Sequence, residues 1–311
     1  MVHIVVNPAA RTGQGQRLWE EDVLPYLQEN KIQYTLHTTK EAGDDARIAA
    51  EICETEKTKP IRIVILGGDG SVNEFLQGLS DPRDVILGFV PLGSGNDLAK
   101  CLRIPKEPRK ALDIIFQTGH VEACDLGSVT YRDGTMRRFI VSCGIGFDAA
   151  VCEEAMRSRL KKILNKLGLG KLTYLGIAVK QILSIKRASG TLTLSDGRVI
   201  PLKKLLFIAG MNQRYEGGGF LFGPKASDSD GLLDLCCVDR VGRPLILFAL
   251  PFGLFGKHFI FPGITPYRMR EYTIELDSPL WVHTDGEVSR QSDYLKVKSL
   301  PRAVMVMKPR G

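Results

Sequence analysis

The sequence predicts an α/β protein in two parts: an N-terminal parallel-sheet domain and a C-terminal domain that is mainly an antiparallel β-sandwich. Three observations lead there. Short apolar runs alternate with helix-period segments over the first third of the chain, as strand–helix–strand units require. Two of those runs end in glycine-rich loops that open helices. Beyond about Asp125, strand-like segments succeed one another and helices become rare.

Residues 4–6 form a strand, and 14–30 a helix with Trp19, Val23 and Leu27 on one face. A strand at 32–37 and a helix at 44–53 come next. Residues 61–66 are a β-branched run bounded by Gly67-Gly68, the mark of a strand buried on both faces. The next helix places Val72, Phe75, Leu76 and Leu79 at i, i+3, i+4 and i+7. Residues 85–90 are another strand. This domain is expected over 1–127, with 301–311 returning to it. The second domain, 128–300, is expected to hold strands at 138–143, 191–194, 205–209, 232–238 and 272–276, with a further strand at 303–307. Asp196-Gly197 is a hairpin signal, and a helical insertion covers about 149–187.

The bulk numbers narrow the class. In 311 residues, an apolar fraction of 44% and a charged fraction of 25% exclude disorder and collagen-like repeats. Seven cysteines without a Cys-x-x-Cys spacing argue for reduced thiols in a cytoplasmic protein, against a disulfide framework or zinc site. The N-terminus has no basic leader and no long apolar run, so no targeting segment is expected. A net charge of +7 favours an anionic partner: nucleic acid, membrane surface or nucleotide.

The strongest local signal is Gly67-Gly68-Asp69-Gly70-Ser71-Val72-Asn73-Glu74, at the end of a buried strand and the start of a helix. Glycines there let backbone N–H groups approach phosphate, and the helix N-terminus favours the anion. Asp69 cannot face phosphate without a cation, so it implies magnesium or a nearby lysine. Taken alone, the segment could equally be a turn capped by Ser71. A second loop, Pro91-Leu92-Gly93-Ser94-Gly95-Asn96-Asp97, ends the next strand in the same style. Two such loops on one sheet edge point to a phosphate-bearing ligand, since open α/β sheets bind ligands outside the strands' carboxyl ends.

Together these residues resemble the diacylglycerol kinase catalytic family, which includes sphingosine kinases and soluble bacterial lipid kinases. The family pattern has threonine where this chain has Ser71 and Ser94; each keeps the hydroxyl. The resemblance covers nearly the whole chain. Asn7-Pro8 with Arg11-Thr12-Gly13 looks like the first phosphate loop, and Thr39 falls where the family has a nucleotide-contacting threonine. Asp125-Leu126-Gly127 and Gly144-Ile145-Gly146-Phe147-Asp148-Ala149 match interdomain segments, and Asp285-Gly286-Glu287 the carboxy-terminal signature. NAD kinase shares the first motif but not this ordered set.

The resemblance implies an ATP- and magnesium-dependent lipid kinase, with diacylglycerol the leading substrate. Glu287 is implied as the base that takes the hydroxyl proton. Asp285, two residues away, would share its side of an extended strand. Asp69, Asp97 and Asp125 are implied as an acidic network around catalytic magnesium. Ser227-Asp228-Ser229-Asp230-Gly231-Leu232 resembles a structural magnesium loop, with Asp230 and the carbonyls of Ser227 and Leu232 as ligands. No Walker A lysine is present.

Charge and hydropathy suggest where a lipid is met. Between Glu154 and Asp196 no acid occurs, while Arg157, Arg159, Lys161, Lys162, Lys166, Lys171, Lys180, Lys186 and Arg187 do, interleaved with Leu160, Ile163, Leu164 and Leu167. That suits transient contact with an anionic inner membrane face; a solvated helix face is the plain alternative. Residues 245–264 are strongly apolar but broken by Pro251, Gly253, Gly256, Lys257 and Pro262. A spanning helix needs ~20 uninterrupted apolar residues, so none is expected; the stretch lines a lipid groove or the core. Nucleic acid is disfavoured, because the basic run lacks interleaved aromatics for stacking. The sequence is silent on oligomeric state, a homodimer included. Two rival readings stand: a phosphotransferase for a soluble substrate such as NAD, and a non-catalytic lipid-binding protein on a kinase fold.

Overall fold

A computed structural model describes the backbone of residues 1–93, 95–157 and 170–310, and the side chains of all these except 11, 12 and 170–175. Two compact units emerge, Met1–Leu126 with Leu300–Gly311, and Gly127–Ser299.

The first unit is a parallel sheet. Its strands are β1 (Val2–Val6), β2 (Tyr34–Thr38), β3 (Ile61–Gly67) and β4 (Val85–Pro91). The end of β13 (Glu287–Lys308) joins it through Met305 and Val306, giving the order β13-β4-β3-β1-β2. All five residues of β1 and six of seven in β3 are buried, which is why both read as unbroken apolar runs. Helices connect the strands. Residues 10–29 form α1 (Ala10–Gly13), α2 (Gly15–Leu18), a π-helical turn (Trp19–Val23) and α3 (Leu24–Glu29). Then come α4 (Asp44–Thr55), α5 (Asp69–Gly78), α6 (Asp97–Cys101) and α7 (Pro108–Asp113). Val72, Phe75 and Leu76 of α5 are buried, as their spacing requires.

The second unit is antiparallel. It contains β7 (Ser142–Gly146), β9 (Val199–Met211), β10 (Leu233–Asp239), β11 (Ile264–Met269) and β12 (Glu271–Thr284), together with the first part of β13. They run in the order β11-β10-β9-β7-β12-β13. Strand β8 (Ala188–Leu194) also lies between β9 and β12, beyond the end of β7. β5 (His120–Tyr131) pairs with β6 (Met136–Phe139). Both faces are covered. Leu233, Leu235 and Cys237 point into one apolar cluster, Cys236 and Val238 into another beneath α8 (Phe147–Arg157), α9 (Gly170–Ser184) and α10 (Arg243–Gly253).

Three expectations change. The run 138–143 is two strands, broken at Ile140–Val141. β5 and β11 are additional to the expected strands. β12 and β13 extend well beyond their apolar cores, because long hairpin pairing carries polar residues along with it. Residues 158–169, where much of the basic interleaved segment falls, lie outside the described residues.

Candidate active site

In the first unit, the register Val6↔Leu66 and Leu66↔Val90 aligns the carboxyl ends of β1, β3 and β4. The loops leaving these three strands therefore meet at one sheet edge. Asn7 donates from Nδ2 to Ser71 Oγ (3.2 Å), and its Oδ1 accepts from the Ala9 N–H (3.1 Å). The Leu92 N–H donates to the Gly67 carbonyl (2.7 Å), tying the two glycine loops together. Gly68 and Gly93 face each other so closely that a Cβ on Gly93 would lie 2.9 Å from Gly68 Cα. Thr39, just past β2, is buried with its N–H on the Val6 carbonyl.

Asp69 holds the second loop. Its carboxylate accepts from the N–H groups of Asp97 (3.0 Å) and Leu98 (3.2 Å), the first turn of α6. Asn96 precedes that turn in the left-handed region at φ 55, a conformation asparagine tolerates. Its Nδ2 donates to the Gly93 carbonyl (2.8 Å), while its buried Oδ1 has no hydrogen-bond partner among the described residues. Gly70, Asn73 and Glu74 lie in the first turns of α5, with Asn73 fully buried. Pro8 sits on the turn after β1 and Gly13 ends α1, while the side chains of Arg11 and Thr12, and Ser94 as a whole, lie outside the described residues. The edge fits a polyanion bound together with a cation. Its glycines leave the backbone open and the start of α5 favours an anion, while the first N–H groups of α6 are already held by Asp69 and the Asn96 amide oxygen is an acceptor for a donor or a cation.

Asp125 is placed differently from the expectation. It is fully buried, and its carboxylate accepts from the Arg302 N–H (2.7 Å). Among the described residues, Asp69, Asp97 and Asp125 are not gathered within direct-ligand reach of one ion; the one set with that spacing is in the second unit.

Sequence reasoning missed Asp45. It is buried on α4 and hydrogen-bonded to Ser71; burial and the charge of Glu74 push its pKa up to about 7. Its neighbour Asp44 is pulled to about 2, chiefly by the Lys40 N–H and then by Arg47. Nothing in Gly43-Asp44-Asp45 distinguishes the two acids before the helix is placed.

In the second unit, Asp285 and Gly286 are the two-residue turn between β12 and β13, at φ 52 and 85. Both values are positive, as a hairpin turn of this length prefers. The extended-strand expectation therefore fails. Asp285 turns its carboxylate onto the broken strand, accepting from the N–H groups of Ile140 (3.0 Å), Val141 (2.7 Å) and Ser142 (3.0 Å). Asn212 fixes the same break, donating from Nδ2 to the Ile140 carbonyl (2.7 Å). Glu287 begins β13 opposite Thr284, half-buried.

A buried charged cluster supports this turn. His283 is fully buried, with Nε2 2.9 Å from Glu216 and 3.2 Å from Asp148. Its Nδ1 accepts from the Gly286 N–H (3.1 Å). Burial and the Gly286 N–H aimed at Nδ1 oppose charge on the ring, while the carboxylates of Glu216 and Asp148 favour it; the bonding at the two nitrogens is that of the neutral ring. The Gly286 bond keeps the neutral ring's proton on Nε2, between the carboxylates; a second proton would cost that bond. The three ligand atoms lie within 4.8 Å of one another, but a proton on Nε2 removes the lone pair a metal needs, so the arrangement shares a proton. Gly144 makes room: a Cβ there would lie 1.8 Å from Asp148 Oδ2. Glu216 and His283 carry no sequence signal, since each stands alone among unrelated neighbours.

The expected magnesium loop holds an ion pair. Asp230 accepts from the Leu232 N–H (2.9 Å) and is paired with the Arg268 guanidinium, while Ser227 Oγ meets Ser229 Oγ (3.1 Å). A cation there would have to displace Arg268 from its carboxylate.

Comparison with known proteins identifies the family. Residues 1–129 match the diacylglycerol kinase catalytic domain, and 141–308 the YegS C-terminal NAD kinase beta sandwich-like domain. A diacylglycerol kinase of Mycobacterium tuberculosis (strain ATCC 25618 / H37Rv) is 30% identical over 86% of this chain and 84% of its own. One of Staphylococcus aureus (strain MRSA252) is 26% identical over 91% and 85%. A crystal structure of a Bacillus anthracis diacylglycerol kinase superposes with a TM-score of 0.74 at 24% identity, covering 99% and 96%. An NAD kinase of Archaeoglobus fulgidus in complex with ATP reaches only 0.51 at 14% identity, covering 100% and 94%. The chain belongs to the diacylglycerol kinase catalytic-domain family and, with the YegS-type second domain that completes it, is a lipid kinase.

Proposed function

We propose that this chain transfers the γ-phosphoryl group of ATP, with magnesium, to a membrane-lipid hydroxyl, converting diacylglycerol to phosphatidic acid for phospholipid synthesis. The observation that carries the reading is the bonding of three strand ends into one phosphate-sized edge, Asn7 to Ser71 and Asp69 to the start of α6. Asn7, Pro8, Arg11, Thr12, Gly13, Thr39, residues 67–71, Asn73, Glu74 and residues 93–96 take the nucleotide. Bound magnesium would neutralise phosphate charge; Asp69 and Asp97 would hold it, with Asp125 bracing the return of β13. Asp230 with the Ser227 and Leu232 carbonyls is a secondary cation site, in competition with Arg268.

Glu287 accepts the proton as the lipid hydroxyl oxygen attacks the γ-phosphorus and ADP departs. Asp285 is a positioning residue, because its oxygens are committed to three backbone N–H groups. His283, through Gly286, sets the same turn. All seven cysteines are free thiols, which supports a cytoplasmic setting. Among the described residues no helix is long and apolar enough to cross a membrane, and the substrate is met at the inner membrane face.

Radiolabelled ATP offered with diacylglycerol, sphingosine, phosphatidylglycerol, undecaprenol and NAD tests this, with Glu287→Gln as control. Label in phosphatidic acid with the parent chain alone is the expected result. Label only in a soluble acceptor such as NAD overturns it.

A further inference from the structure

We propose that the solvent face of α10 and the turn after it, carried by Phe248, Leu254, Phe255 and Ile260, docks the protein on an anionic lipid bilayer. This deepens the lipid-kinase reading, and rests on it, by naming the surface that meets the membrane. The helix is apolar on every side, with Arg243 its one charged residue. A helix of that kind is normally covered all round. Here only Ile246, Ala249 and Gly253 are buried in α10, while Phe248 is 63%, Leu254 46%, Phe255 72% and Ile260 69% exposed. Four of the ten exposed large apolar side chains among the described residues thus fall within thirteen positions. Scattered exposure needs no explanation; a cluster does.

The surface is also preformed. Phe248 packs against Phe252 (5.6 Å between centroids) and Phe261 (5.8 Å), and Phe252 packs edge-on to Phe261 (5.0 Å). The turn is closed by the Lys257 N–H on the Phe252 carbonyl (3.0 Å) and anchored by buried His258. Charge selects the occupant. No Asp or Glu occurs between Asp239 and Glu271, while Arg243 and Lys257, both exposed, lie before the stripe and within it. A second copy docked through the same face would bring these cations together with no acid from the segment to match them. A bilayer supplies the anions and the apolar layer together. At eleven residues the helix lies in the interface and does not span it.

The test is co-sedimentation of the full chain with phosphatidylcholine vesicles, with and without phosphatidylglycerol. The triple substitution Phe248→Ser, Phe255→Ser, Ile260→Ser should cut vesicle binding about tenfold or more. Lys257→Glu should cut it less and remove most of the phosphatidylglycerol dependence. All three serine positions are exposed, and far-UV circular dichroism confirms that the variant folds. Turnover on a short-chain diacylglycerol dispersed in detergent should stay unchanged. Undiminished vesicle binding by the triple variant overturns the proposal. So does a parent dimer that the triple variant splits while vesicle binding persists. If neither protein phosphorylates any lipid, the catalytic reading fails while the vesicle result still decides the docking surface.

Discussion

Asp69 and Asp285 do the same physical job in the two units, and the difference between them is instructive. Each lies at a glycine-bearing turn and spends its carboxylate on backbone N–H groups of a distant segment. Asp69 reaches a helix start about thirty residues on, where the free N–H groups and the helix field already favour an anion. Asp285 reaches back 144 residues to Val141, at a break in a strand, where the N–H groups have lost their ladder partners. The first arrangement arises from the fold's regular parts. The second repairs an irregularity, and the residue it leaves beside it is Glu287.

The largest effect should come from Glu287. Glu287→Gln keeps size and turn geometry but removes the proposed proton acceptor, so single-turnover transfer should fall about 10³-fold. Calorimetric ATP affinity should stay near that of the parent chain. Transfer at the parent rate would move the base elsewhere and reduce the second unit's turn to architecture.

Asp45 sharpens the comparison from the first unit, where a buried acid backs the phosphate loop. Its pKa is pushed from 3.8 up to about 7, chiefly by burial. Between about pH 4 and pH 7 the folded chain keeps a proton that the unfolded chain releases, so stability falls as pH rises through that window. Asp45→Asn removes this loss and should stabilise the protein at pH 8 by up to about 4 kcal/mol. The gain should vanish below pH 4. Urea melts at the two pH values read it directly; an equal difference at both would mean that Asp45 ionises normally.

Asp285→Ala breaks the repair itself. Three backbone N–H groups lose a charged partner, and the chain should lose about 2–3 kcal/mol of stability. Asp69→Ala strands two N–H groups at an open helix start, where water replaces the carboxylate, and should cost about 1 kcal/mol. Equal losses in chemical denaturation would erase the distinction between the two carboxylates.

This contrast also explains what the sequence discloses. The first unit is legible because both sides of its site are local motifs: a β-branched run, glycines, then a hydroxyl and an acid, repeated on adjacent strands. The second is legible only at Asp285-Gly286, whose turn chemistry is local. Residues 138–143 look like one strand, since nothing in Ile140-Val141 announces a break that a side chain so far away must satisfy. Glu216, His283 and Asp148 meet only because β7 pairs with both β9 and β12: Asp148 follows β7, Glu216 lies just beyond β9, and His283 is on β12. Buried charges assembled across such distances have no spacing to read. The 245–264 stretch hides its role for another reason. Its composition suggests a groove or a core, and apolar content alone does not say which side of a helix is left to solvent.

The most specific effect expected is one on rate. His283→Asn replaces the ring by a buried amide that cannot both accept from Gly286 and donate between Asp148 and Glu216. If His283 only fills space, the substitution lowers stability and leaves the kinetic constants alone. If it sets the turn through Gly286, kcat should fall about tenfold at unchanged KM for ATP, because the base is displaced while the nucleotide edge is untouched. His283→Gln, whose longer amide can span both partners, should restore part of the rate. A common loss in kcat and KM, or no rescue by glutamine, would assign the buried cluster to stability alone and leave the turn governed by Asp285.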